Sequence, residues 1–279
     1  MKSYNLLENI LFWPTFLSDK SLNNFLKGKT VLISGASYGI GEALAMRLSS
    51  SACRLILVAR TEEKLLEVQK KVQKNGCDAD IFVADLTVEA GLDKLIAYIS
   101  SKPKGIDIFI NNAGKSIRRS IYDSLDRFHD FQRTMALNYF APVKLLLSLI
   151  PILEKNKGQI INVSAVNVLM VPAPKWAAYQ ASKTAFDQWL RSVSPELEVK
   201  GISTTAIYLP LVRTRMIEPT AAYSKMPAMQ PEHVARIIAK SIYTKRRIFI
   251  PWWAMFGILG SVIFRGLWEW AVPINLKNK

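Results

Sequence analysis

From Lys29 onward, short apolar runs rich in β-branched residues alternate with longer segments whose apolar residues recur every three or four positions. The runs TVLISG, RLILVAR, DIFVADL, IDIFINNAG, GQIINVS and TTAIYLP read as six strands. Between them, a segment from about Gly41 to Ser50, then EEKLLEVQKKVQKNG, VEAGLDKLIAYISS and a long stretch from about Arg127 to Leu153 read as helices. Strands that are apolar along their whole length and separated by helices predict a parallel sheet covered on both faces. The expectation is a single α/β domain of doubly wound topology over residues 29–247.

Both ends depart from this alternation. Residues 1–28 carry apolar residues around Leu6–Leu17, interrupted by Glu8, Asn9 and Pro14 and without a small-residue cleavage site. They read as an amphipathic lead-in. At the other end, Ile248–Phe264 is a run of seventeen uncharged residues, short of the ~20 that a spanning helix needs. Trp252 and Trp253 inside it, and Lys245, Arg246 and Arg247 before it, favour an interfacial or re-entrant anchor. A core helix or an oligomer interface is the alternative for residues 248–279.

Composition sharpens that choice. Half of the 279 residues are hydrophobic, mean hydropathy is +0.13, and the formal charge is +15. Such a charge suits nucleic acid, an anionic lipid surface or simple solubility. No RG-rich tract, zinc-finger spacing or aromatic RNA-binding pattern occurs, so nucleic acid is set aside as a partner. From Lys240 to Lys279 there are seven basic residues against one acidic, which fits anionic headgroups on the cytoplasmic side of a membrane, held peripherally or monotopically. Cys53 and Cys77 alone make no disulfide framework and suit a reducing compartment.

Candidate chemistry begins at the turn between the first strand and the first helix. Gly35, Ser37, Tyr38, Gly39, Ile40 and Gly41 form a glycine-rich turn that opens a helix, where free N–H groups and the positive dipole end suit a nucleotide phosphate. The second strand ends in Arg60-Thr61 rather than an acidic residue. A guanidinium and a hydroxyl there would hold a 2′-phosphate, so NADPH is expected in preference to NADH. Tyr179 and Lys183 lie four residues apart, hence on one face of a helix. A phenol with a pKa of about 10 is a poor acid at neutral pH, and a nearby ammonium would tune it. His129 and His233 are far apart and read as surface or helix residues rather than metal ligands.

Four elements in order, SGASYGIG, Asn111-Asn112-Ala113-Gly114, Asn138 and YQASK, resemble the short-chain dehydrogenase/reductase family over about Lys29 to Ile250. The resemblance implies a Rossmann fold, an oxidoreductase, and assembly as a homodimer or homotetramer. It puts Asp85 and Leu86 at the adenine, and Asn112, Ala113 and Gly114 along the cofactor cleft. It puts Val212 and Thr214 in the loop that holds the nicotinamide carboxamide, with Leu211 where the family has glycine. It also gives Lys183 the ribose and Asn138 a water relay.

The serine departs from the pattern. The family's catalytic serine is the second of a Ser-Ser pair, about thirteen residues before the tyrosine. Here Ser164 lies fifteen residues before Tyr179, and Ala165 follows it. Either a backbone shift returns the Ser164 hydroxyl to the carbonyl, or that contact is missing or comes from a group such as Asn167.

The segment YLPLVRTRMIEPTAAYSKMPAMQPEHVA resembles the family's branch of bacterial fatty acyl-CoA reductases. This implies a long-chain acyl or lipid-like carbonyl substrate, with Leu169, Met170, Val171, Trp176, Met216, Met226 and Met229 in substrate loops. A 3-keto lipid or steroid would keep the same chemistry. A weakly catalytic NADP-binding membrane scaffold is the non-enzyme alternative.

Overall fold

The computed structural model describes residues 4–218 and 220–277. Among them, seven strands form one parallel sheet in the order β3-β2-β1-β4-β5-β6-β7. The strands are β1 (Thr30–Ser34), β2 (Arg54–Ala59), β3 (Asp78–Val83), β4 (Ile108–Asn111), β5 (Gln159–Ala165), β6 (Ser203–Leu209) and β7 (Ile248–Phe249). The first six answer the six apolar runs. The seventh takes the first two residues of the C-terminal apolar segment, so the sheet reaches past residue 247.

Alternation within each strand explains why those runs are apolar throughout. Val31, Ile33, Leu55, Leu57, Ile108, Ile110, Ile161 and Val163 face one core, which is shared with α3 (Gly39–Leu48), α4 (Glu62–Lys74) and α9 (Pro231–Thr244). Leu32, Ile56, Val58, Phe109 and Ile160 point the other way, onto α5 (Glu89–Ser100), α7 (Ala141–Asn156) and α8 (Ala177–Val199). Successive side chains leave a strand on opposite faces, so a sheet buried on both sides has no polar positions to spare.

The long helical region is built in three parts: α6 (Phe128–Met135), a π-helical turn (Ala136–Phe140) and α7. Together Phe128–Asn156 has the length and hydropathy of a membrane span. Its Leu145, Leu146, Leu149 and Leu153 are fully buried against the sheet, which accounts for that hydropathy.

Residues 4–28 are drawn into the fold. Helix α1 (Leu6–Leu11) is closed by a reciprocal capping box between Asn5 and Glu8, and α2 (Asp19–Leu26) sends Leu22 and Leu26 into the core. Glu8 is 2% exposed and accepts from the Ala228 N–H at 3.1 Å and from the Arg213 guanidinium. Burial pushes its carboxyl up, but the hydrogen bonds from Ala228, Asn5 and Arg213 outweigh that and hold it below the usual range. The N-terminal segment thus fastens the loop that follows β6. Tyr4 and Thr15 hydrogen-bond the two ring nitrogens of His233 at 3.0 and 3.1 Å, fixing the same segment to α9. His129 lies on α6 beside Asp130, at 3.3 Å.

After β7 the chain forms α10 (Ala254–Ile263) and α11 (Arg265–Lys277), bent by 89° at the junction. The pair cannot cross a bilayer as one straight rod.

Candidate active site

Strand order reverses between β1 and β4, and in open parallel sheets the crevice beyond the carboxyl ends at such a point takes the ligand. The glycine turn lies there. Gly35 and Gly39 have φ of +69° and +58°, in the left-handed region. A Cβ on Gly41 would sit 2.1 Å from the Gly35 carbonyl oxygen, so the helix can approach the turn this closely only with glycine. Tyr38 caps α3 without a side-chain hydrogen bond, leaving the first-turn N–H groups to an external acceptor. This arrangement fits a dinucleotide diphosphate. Thr214 rests against Gly39, and the Arg215 guanidinium stacks on the Tyr38 ring at 4.3 Å. Val212 is buried and paired with Met229.

Asn112 braces the turn from β4. Its Nδ2 donates to the carbonyls of Ser34 and Gly35 at 3.0 and 3.1 Å, while Ser34 Oγ accepts the N–H of Asn112 and of Ala113. The Asn112 side chain therefore holds the glycine turn in place.

At the end of β2, the Arg60 guanidinium is largely exposed and lies 3.7 Å from Asp85. Thr61 is the N-cap of α4, yet its hydroxyl makes no capping bond. Asp85 accepts from the Thr87 N–H and hydroxyl at 2.9 and 2.7 Å. Burial raises its carboxyl, but Thr87 and Arg60 together hold it below the usual range. Its oxygens are thus committed to the turn and to Arg60. The Leu86 side chain belongs to the core.

The residues expected to carry acid/base chemistry lie on three elements. The π-helical turn holds Asn138, whose Oδ1 accepts from Lys115 N–H and whose Nδ2 donates to Lys115 carbonyl and Ser182 Oγ, all at 2.9 Å. Single π turns inside α-helices concentrate at functional sites. Lys183 Nζ donates to the Val163 carbonyl at 3.1 Å. A Cβ on Gly114 would lie 3.3 Å from that Nζ and 3.4 Å from Asn138 Oδ1, so Gly114 keeps the space between them open.

Burial sets both titrations. It pushes Lys183 down to about 8, against an upward pull from Asp187. It pushes the Tyr179 phenol up to about 12, reinforced by Tyr223. The spacing alone predicts a tyrosine lowered by its lysine; with the ammonium turned to the Val163 carbonyl, desolvation dominates and the phenol stays protonated.

Ser164 is the next-to-last residue of β5, is 4% exposed, and its Oγ has no hydrogen-bond partner among the described residues. Asn167 Oδ1 is also buried and unpartnered among the described residues. Leaving such a group unsatisfied costs about 1–3 kcal/mol, which marks a place where a ligand would bond. The residues after Ala165 enter a 3₁₀ turn, Val166–Leu169. Gln180 steadies the loop that follows by donating to the Asn167 carbonyl at 2.6 Å and accepting from Ala173 N–H at 3.1 Å. Trp176 packs on Tyr179 with ring centroids 5.5 Å apart and stacks on Tyr223 at 6.2 Å. Met216 and Met226 are exposed, whereas Met229, expected in a substrate loop, is buried in the core beside Val212.

Asp187, Ser182, Lys115, Tyr223 and Arg215 were not legible as site residues. Asp187 had one signal, its place four residues after Lys183. The others depend on tertiary contacts.

Known proteins resemble this chain in sequence and fold. A family model described as short chain dehydrogenase matches residues 29–224. The chain is 47% identical over 218 residues to a fatty acyl-CoA reductase of Acinetobacter baylyi, covering 78% of this chain and 74% of that protein. A fatty acyl-CoA reductase of Mycobacterium tuberculosis is 38% identical over 221 residues, covering 79% and 75%. Among solved structures, a short-chain dehydrogenase from Sphingobium yanoikuyae in complex with NADPH superposes with a TM-score of 0.74 at 25% identity, covering 86% of this chain and 95% of that one. A metagenomic short-chain oxidoreductase in complex with NADP gives 0.68 at 25% identity, covering 78% and 92%. With its parallel sheet, its glycine turn and its ordered Asn138, Tyr179 and Lys183, the chain belongs to the short-chain dehydrogenase/reductase family and is an oxidoreductase.

Proposed function

We propose that this protein reduces the carbonyl of a long-chain acyl or lipid-like substrate with NADPH. The bound cofactor supplies a hydride to the carbonyl carbon. Tyr179 gives its phenolic proton to the carbonyl oxygen as charge develops there, and the Ser164 hydroxyl donates a hydrogen bond to the same oxygen. Lys183 holds the ribose and stabilises the phenolate that remains. Asn138, fixed to both backbone groups of Lys115, steadies the water path that returns a proton. With a thioester substrate, the reduced adduct re-forms its carbonyl as the C–S bond breaks. The thiol leaves with a proton, and an aldehyde remains.

The observation that carries the substrate class is the apolar segment Leu169–Val171 with Trp176, which separates Ser164 from Tyr179 in the chain and packs Trp176 on the tyrosine ring. The names of the two bacterial relatives agree with it. NADPH oxidation with acyl-CoAs of increasing length, a 3-keto lipid, a steroid and small polar ketones tests the reading. Each methylene that enters an apolar site adds about 0.8 kcal/mol, so kcat/KM rises about fourfold per methylene until the site is full. Activity confined to small polar ketones would remove the lipid reading. NADPH binding without turnover across the panel would favour a scaffold.

Preference for NADPH rests on Arg60, exposed and 3.7 Å from Asp85, and on Thr61, whose hydroxyl makes no capping bond at the end of β2. Arg60→Ala is expected to raise KM for NADPH about tenfold or more and leave NADH nearly unchanged, since a hydrogen bond to a charged group contributes about 1.5–3 kcal/mol. An unchanged cofactor ratio contradicts the assignment. A homodimer or homotetramer through the long helices is supported by the exposed Phe140 and Leu147 on that face. A monotopic or peripheral place at a membrane is supported by the exposed apolar residues of α10 and α11.

A further inference from the structure

The segment before β1 meets the segment after β7. Trp13, from the N-terminal segment, stacks on Trp252 with centroids 5.7 Å apart, and Trp252 Nε1 donates to the Ile10 carbonyl at 3.2 Å. On one side of this junction α1 and the residues after it expose Leu6, Leu7, Ile10, Trp13 and Phe16. On the other side, α10 and α11 expose Phe256, Leu259, Val262, Phe264, Leu267 and Trp270. An apolar area of this extent on a monomer marks an interaction surface.

Two further observations say what covers it. A groove of about 360 Å³ runs between the N-terminal segment and α9, walled by Trp13, Ile237, Phe249 and Trp252 and carrying Lys240 and Arg246. No acidic residue lines it, and neither cation has an ion-pair partner among the described residues. Exposed tryptophans beside unpaired basic side chains match the boundary between headgroups and acyl chains of an anionic leaflet. A groove of this volume suits one amphiphile. The inner side of the same helices roofs the segment between Ser164 and Tyr179. Val171 N–H donates to Ser261 Oγ at 3.2 Å, Trp268 Nε1 donates to the Pro172 carbonyl at 3.4 Å, and Met170 lies against Gly257.

We infer that α1 and the bent α10–α11 pair form one docking face for an anionic lipid bilayer, with an anionic lipid seated in the Lys240–Arg246 groove. The bilayer then lies over the roof of the substrate loop, and a lipidic carbonyl passes from the leaflet to Tyr179 without crossing water. The docking face rests on the membrane placement proposed above, and only the delivery step rests on the lipid-substrate reading.

Flotation of the full chain with phosphatidylcholine vesicles, with and without phosphatidylglycerol, tests it. The protein is expected to float with the anionic vesicles and to be released by salt. Trp13→Glu with Phe256→Glu, both exposed side chains, should lower binding at least tenfold. Lys240→Ala with Arg246→Ala should lower it about thirtyfold, at about 1 kcal/mol per basic residue near the surface, and should weaken the salt dependence. Both variants should keep wild-type turnover of a short water-soluble carbonyl and lose turnover of a long-chain carbonyl presented in vesicles. Failure of the wild type to float overturns the inference. So does dispersal of a wild-type dimer by the glutamates, seen by light scattering, with vesicle binding unchanged; that result gives the face to a second copy. Flotation without long-chain turnover keeps the docking face and removes the substrate reading.

Discussion

Tyr179→Phe is expected to bind NADPH as the wild type does and to lower kcat for carbonyl reduction by about 10²–10⁴-fold, the usual contribution of a positioned general acid. The substitution keeps the ring that packs on Trp176 and removes only the hydroxyl. Burial holds that phenol near 12, so at neutral pH the proton to be donated is always present. Giving it up is the difficult part, because it leaves a phenolate in a desolvated place. In the proposed mechanism Lys183 lowers that cost while it is charged. Its pKa is depressed to about 8, so it is charged below that value and neutral above it. The rate of reduction should therefore be flat below about pH 8 and fall above it, with Tyr179 still protonated throughout the fall. A rate that rises with pH across that range, or a Tyr179→Phe enzyme of wild-type activity, would place the acid elsewhere.

Ser164→Ala should lower kcat by about 10²–10³-fold, the loss usual when one donor to a developing oxyanion is removed. The same change should leave the melting temperature equal or higher. Ser164 Oγ is buried without a partner among the described residues, and deleting an unsatisfied buried hydroxyl removes a desolvation cost without breaking a bond. A side chain kept for packing would show the reverse, with stability lost and activity kept. Asn167→Ala is the control, because Asn167 Oδ1 is the other unpartnered group near the turn among the described residues. A large loss there with an active Ser164→Ala enzyme would move the oxygen contact to Asn167.

Much of this arrangement was legible because it depends on local sequence. A sheet buried on both faces makes its strands continuous apolar runs, so β1 to β6 could be read directly. The glycine turn between a strand and a helix, and a tyrosine and lysine one helical turn apart, are likewise local patterns. β7 was not legible, because a two-residue strand carries no periodicity and was absorbed into the apolar run that follows. Nor was the role of residues 1–28, since Glu8 finds Arg213 and Ala228 across more than two hundred residues. Met229 illustrates the limit from the other side. Its sequence neighbours are loop-like and methionine-rich, yet its pairing with Val212 carries it into the core. The orientation of Lys183 toward the Val163 carbonyl, which lets burial decide both pKa values, is set by β5 and α8 packing together.

The most direct test of the account follows the hydride. NADPH deuterated at C4 of the nicotinamide, prepared as each of its two epimers, is incubated with the protein and a long-chain acyl-CoA, and the product is analysed by mass spectrometry. One deuterium is expected at the former carbonyl carbon from one epimer, appearing about 10²–10⁴-fold more slowly with Tyr179→Phe. A product without deuterium from either epimer, or labelling at an equal rate with Tyr179→Phe, would contradict it.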